Sequence, residues 1–276
     1  MNIWLKKITE NKIFCLLLML NILLVAFFLF APHLAPNSPI EIHADHALLD
    51  SSGQYPLGTD QLGRCFLSRL LYGGKSSLLM TIGIVVFISL AGTTVGIMAA
   101  LAGGAVEHSF MRFLDIVLAI PSMVLVLVMV SIFGNGIITT TVAIMSVSWI
   151  TYARIAHSLV LEFRESNFIK QAQMGGVGFG RLLFKYVLPN VFPHMIVVAT
   201  QDFGDKLLLL STLSLLGLGA QPPTPEWGYM LSEGKQFMQR APWLLFYPGF
   251  LIFIHVIMFN LLGDRLQDIL DPKETC

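Results

Sequence analysis

The sequence predicts an all-α integral membrane protein with six transmembrane helices. Two observations carry this. Of 276 residues, 55% are hydrophobic and only 12% are charged, about half the charged fraction of an ordinary soluble domain. The apolar residues also lie in long uncharged stretches, at 13–30, 76–106, 116–153 and 241–263. A bilayer core of about 30 Å needs about 20 such residues in helical form.

The spans follow in order. The first covers 13–30 and is preceded by Lys6, Lys7 and Lys12. Ala31 and Ala35 after it suggest a cleavage site, but the apolar run exceeds the usual 7–15 residues of a signal peptide, so it reads as a retained span. The second covers 78–102. The stretch 116–153 is twice the needed length, and Gly134-Asn135-Gly136 divides it into spans at 116–133 and 137–153. The fifth, 191–218, is apolar except for Asp202, Asp205 and Lys206; a buried soluble helix is the bland alternative. The sixth covers 243–263. This divides the chain into a tail at 1–12, the first helix at 13–30, a Pro-rich extracytoplasmic loop at 31–77, a core at 78–263 and a tail at 264–276. The core contains a polar loop at about 154–190.

Six spans put both termini on one side. Lys and Arg favour the cytoplasmic side. The N-terminal tail and the loop bearing Arg154, Arg164, Lys170, Arg181 and Lys185 therefore read as cytoplasmic. Zero formal net charge gives no footprint for nucleic acid. Cys15, Cys65 and Cys276 have no paired spacing, which excludes a disulfide framework and a zinc ribbon. Gly74-Lys75-Ser76 lacks the first glycine of a phosphate loop. No catalytic residues, cofactor or metal site are assigned.

The polar loop is amphipathic. Phe168 and Ala172, then Leu182, Leu183, Tyr186 and Val187, recur at helical spacing, with Gly175, Gly176, Gly178 and Gly180 between them. This reads as helix, bend, helix. Its apolar face needs cover, from membrane lipid or from a partner protein; periodicity leaves both open.

Several ordered blocks carry a resemblance from about residue 13 to the end. Lys170-Gln171-Ala172, Gly176 and Leu188-Pro189 resemble the cytoplasmic motif of ATP-binding-cassette (ABC) importer permeases. Ala172, Gly176, Leu188 and Pro189 match in register; Lys170 stands where the family has Glu, and Gln171 where it has Ala. Leu57-Gly58-Thr59-Asp60 with Leu62-Gly63-Arg64, the segment from Arg112 to Pro121, Gly217–Gly228, and Asn260 to Pro272 are similar to the dipeptide/oligopeptide/nickel branch. Cys65 departs from that branch's Asp.

The resemblance implies an ABC importer permease fold whose loop forms a coupling helix, with Lys170, Gln171, Ala172, Gly175, Gly176, Leu188 and Pro189 at the contact with an ATPase. It implies a second homologous permease, two ATP-binding subunits, an extracytoplasmic substrate-binding protein and no catalysis in this chain. Asp202-Phe203-Gly204 resembles the nickel-type permeases, which makes nickel or a metal chelate the expected cargo and di- or oligopeptide the alternative. A secondary ion-coupled transporter, using Asp202, Asp205 and Lys206 as a relay, would call for inverted repeats, which the sequence lacks.

Asp202, Asp205 and Lys206 are the candidate pathway residues, because charge at membrane depth is costly and functional by default. Asp202 and Lys206 are four apart and could neutralise each other. His255 reads as a core residue bonded to a neighbouring helix. Glu41, His43, Asp45 and His46 read as a solvated loop, and Gly217–Gly228 as an outer turn.

Overall fold

The computed structural model describes residues 11–164 and 183–270. Among them the secondary structure is helical, apart from one isolated antiparallel bridge between Thr59 and Cys65. Helix α1, Lys12–Phe30, starts where the Asn11 side chain accepts the Phe14 N–H at 3.1 Å, satisfying a donor that the first turn leaves free. Only Phe14, Asn21 and Phe28 of α1 are buried. Asn21 donates to the Met258 carbonyl and so ties α1 to the last helix.

Helix α2, Phe66–Ala102, is 37 residues long, about 55 Å at 1.5 Å per residue. It starts twelve residues before the expected second span, inside the segment expected to be loop. Arg69 lies in that segment, and its side chain is buried in an ion-pair network.

The expected third span, 116–133, is not one helix. Helix α3, Gly104–Leu118, and helix α4, Ser122–Phe133, meet at an 82° bend. Pro121 has no N–H and restricts Ile120, so a straight helix cannot run through.

Helix α5, Ile137–Arg164, follows the turn at Gly134 and Gly136, whose φ values of 93° and 151° suit glycine. Helix α6, Leu188–Leu215, ends at Gly217, with φ 82°. There Leu218 N–H reaches Leu213 O and Gly217 N–H reaches Ser214 O, the paired bonds of a glycine-stopped helix. Helix α7, Trp227–Gly234, is short, and helix α8, Trp243–Leu270, closes the described fold.

Four segments are long and apolar enough to cross a membrane unaided: Lys12–Leu34, Phe66–Ala102, Ile137–Phe163 and Trp243–Leu270; the bent pair α3–α4 would make a fifth. Helix α6 is equally long, but its three charges keep it outside this apolar set. The expected six spans thus become four long apolar segments, five if the bent pair counts as one span, and one charged helix.

Helices α2 and α5 cross with backbones nearly touching. A Cβ on Gly92 would overlap the carbonyl of Trp149, and one on Gly96 the carbonyl of Ala153. Two small residues four apart let membrane helices approach this closely, where packing rather than water drives association. Ile84, Ile88, Ile144, Tyr152 and Ala156 surround the crossing. A second core joins Phe28, Phe66, Leu70, Leu207, Trp227 and Leu244 around α7.

Gly96→Leu should cost about 1–3 kcal/mol through overpacking and lower the melting temperature of the purified protein. Gly83→Leu, where a Cβ meets nothing within 4 Å, should leave it unchanged; equal effects would refute the close crossing.

Candidate functional site

The charges of α6 divide. Asp202 and Lys206, one turn apart, form an ion pair with Lys206 Nζ 2.8 Å from Asp202 Oδ1. The Tyr152 hydroxyl, from α5, donates to Asp202 Oδ2 at 3.0 Å. The i, i+4 pairing was legible in the sequence; Tyr152 was not singled out, although a tyrosine within a buried helical stripe needs a partner for its hydroxyl. Asp205, three residues from Asp202, is exposed and takes no part in this pair.

Phe203 and Gly204 serve packing. Phe203 stacks on Phe259 of α8 with centroids 3.7 Å apart, and a Cβ on Gly204 would sit 3.2 Å from Asn260 Oδ1. The Asp-Phe-Gly sequence thus combines an ion pair and a tight α6–α8 contact.

Of the expected coupling residues, Lys170, Gln171, Ala172, Gly175 and Gly176 lie outside the described residues. Leu188 and Pro189 open α6. Leu188 packs on the α2–α5 core, and Pro189 sits in the first turn, where its missing N–H costs nothing.

The loop before α2 forms a cap over α7. Gly58 and Gly63 have φ of 77° and 72°, which bends the chain so that Asp60 Oδ1 accepts the N–H groups of Leu62 and Arg64 at 2.9 and 3.0 Å. Arg64 Nε lies 2.6 Å from Asp60 Oδ2, and Arg64 Nη2 lies 2.7 Å from Glu233 Oε1. Arg69 bridges the same two carboxylates. Two cations and two anions thus close a neutral, buried set.

Burial works against the Arg64 charge, yet Asp60 and Glu233 hold its pKa above the ordinary value. Burial, then the Glu233 charge, push the Tyr229 hydroxyl up. Glu226, fully buried, caps α7 by accepting from Gly228 and Tyr229 N–H, and also from the Ser77 hydroxyl. The sequence resemblance marked Arg64 and Glu226 as parts of blocks, without their distant partners: Glu233 for Arg64, 169 residues on, and Ser77 for Glu226, 149 residues back.

Several other expectations resolve here. His255 is buried, but Nδ1 donates to the Leu251 carbonyl of its own helix at 2.8 Å, not to a neighbouring one. Its ring packs against Phe28 and Trp227. Gly74-Lys75-Ser76 lies inside α2, where Gly74 gives room to Phe28. His43 faces Glu41 at 3.5 Å and His46 bonds Tyr55 at 2.9 Å; among the described residues, no three His, Cys, Asp or Glu side chains converge to hold a metal.

Residues 92–275 match the family described as binding-protein-dependent transport system inner membrane component. The chain belongs to this family: it is a multi-pass inner-membrane permease of an ABC importer, not the subunit that hydrolyses ATP.

Among similar proteins, the di/tripeptide transport system permease protein DppC of Pseudomonas aeruginosa is 39% identical over 93% of this chain and 86% of its own. The dipeptide transport system permease protein DppC of Alkalihalophilus pseudofirmus is 38% identical over 97% and 88%. The nickel transport system permease protein NikC of Escherichia coli K12 is 36% identical over 86% of each. An inward-facing structure of the MetNI methionine ABC transporter superposes with a TM-score of 0.61 at 18% identity, covering 73% of this chain and 96% of that one; it supports the fold.

Glu233→Gln removes one anion and leaves the cap with a buried excess cation. Breaking a buried pair costs about 3–5 kcal/mol, so the thermal midpoint in detergent should fall by several degrees. An unchanged midpoint would show that the cap does not hold α7.

Proposed function

We propose that the chain is the permease subunit of a di- or oligopeptide importer. The observation that carries the cargo is that the relatives at 38–39% identity, matched over 91–97% of this chain, are named as di- or tripeptide permeases, above the nickel permease at 36%. The nickel expectation, drawn from the resemblance at Asp202-Phe203-Gly204, has less support than the peptide reading in these identities.

In this reading both termini are cytoplasmic and an extracytoplasmic binding protein delivers the peptide. The peptide crosses between this chain and a homologous second permease, along a path that includes Asp202, Asp205 and Lys206. Two ATP-binding subunits supply the work by closing on the loop with Lys170, Gln171, Ala172, Gly175 and Gly176, which passes motion through Leu188-Pro189 into α6. Substrate binds nothing covalently; ATP closure changes which side of the path is open.

Nickel or a metal chelate is the second reading, favoured by the nickel permease match. In a strain lacking the gene, complementation should restore ATP-dependent uptake of a labelled dipeptide and leave uptake of radioactive nickel at the background level. Restored nickel uptake without peptide uptake would reverse the assignment.

A further inference from the structure

The ion pair accounts for two of the three charges in α6 and leaves Asp205 without one. Asp205 makes no ion pair or hydrogen bond with another described residue. It lies about 25 Å from the start of α6 and about 15 Å from its end, by the rise per residue, and so at membrane depth for a core of about 30 Å. An unpaired carboxylate cannot face hydrocarbon there without a cost of several kcal/mol.

Its surroundings on α6 point the same way. His194, Val198, Gln201, Asp205, Leu208 and Thr212 follow one another at steps of four and three, which places them on one stripe. None of the six is buried by the rest of the chain, and four are polar. The lower half of the stripe opens into a cavity of about 420 Å³, which His194, Val198 and Gln201 share with Ile155 and Leu159 of α5 and Gln267 of α8. A stripe with four polar residues of six, running into an open cavity, does not suit a lipid-facing surface.

We infer that Asp205 lines the aqueous path and is the specificity-determining carboxylate that receives the cationic group of the cargo, while the Asp202–Lys206 pair holds the wall. The inference rests on the reading of the chain as one wall of an importer. A carboxylate in an aqueous passage with low-dielectric walls attracts cations and raises their local concentration. Two cargoes carry that chemistry: the terminal ammonium of a peptide, and a divalent metal ion.

The test uses the full complex in a background with Cys15→Ala, Cys65→Ala and Cys276→Ala. Leu208→Cys, one turn from Asp205, reports the local field through two thiol reagents of the same size, one trimethylammonium and one sulfonate. After correction for their intrinsic rates, the cationic reagent should react faster by on the order of tenfold. Asp205→Asn should remove that bias and Asp205→Glu should keep it. No labelling by either reagent, or a bias indifferent to Asp205, overturns the inference.

Transport supplies the second readout. Asp205→Asn should lower maximal uptake by about tenfold, with the partner subunits still co-purifying and ATP hydrolysis still stimulated by the binding protein. Loss of the second permease from the purified complex would make Asp205 an interface residue and overturn the inference, as would unchanged uptake. Both a labelled dipeptide and nickel ions are assayed. If the wild-type carries only nickel and Asp205→Asn lowers nickel uptake, the peptide reading falls and the inference about Asp205 stands.

Discussion

A charge inside a bilayer must be neutralised or wetted, and the Asp202–Lys206 pair is where this fold meets that constraint. Each charge alone would cost about 2.5–3.5 kcal/mol at membrane depth. Placed one helical turn apart at 2.8 Å, they cancel within one helix, which leaves Asp205 as the one charge of α6 still to be neutralised or wetted. The Tyr152 hydroxyl occupies the second carboxylate oxygen and fastens α6 to α5. Because α5 is itself fixed to α2 through Gly92 and Gly96, the pair sets the position of α6 within the bundle. The open face of α6 then follows from helical geometry.

The end of the bundle that carries α7 obeys the same rule. The cap gathers Asp60, Arg64, Arg69 and Glu233 into a neutral set and shields it under the loop before α2. Glu226, Ser77 and Trp227 satisfy one another below it. Polar groups that a single-chain view would count as liabilities thereby tie α2 to α7. Helix α7 in turn packs against α6 and α8, as in the contact of Gly228 with Ser211 and of Gly234 with Leu244.

Sequence reading recovered what local rules determine. Hydropathy located α1, α5 and α8, and the Gly134–Gly136 turn separated α4 from α5, because both signals are set within a few residues. The start of α2 was placed twelve residues late, since Arg69 reads as a surface residue until Asp60 and Glu233 are known to surround it. The α3–α4 bend was missed although Pro121 was visible, because apolar length outweighed one helix breaker. The Asp202–Lys206 pair was legible as an i, i+4 relation; the contributions of Tyr152 and Glu233 were not, being 50 and 164 residues from their partners. The motif blocks identified the family, while the cargo lean toward nickel rested on three residues whose packing roles only the folded chain reveals.

The account depends most on Asp202 and Lys206 being worth more together than apart. A double-mutant cycle of Asp202→Asn and Lys206→Met, read by thermal unfolding of the purified complex, measures this directly. Each single change should destabilise strongly by stranding the other charge. The double variant should recover most of the loss, with a coupling of about 1–3 kcal/mol. Strictly additive losses would mean that the two charges do not neutralise each other, and the positioning of α6 described here would be wrong.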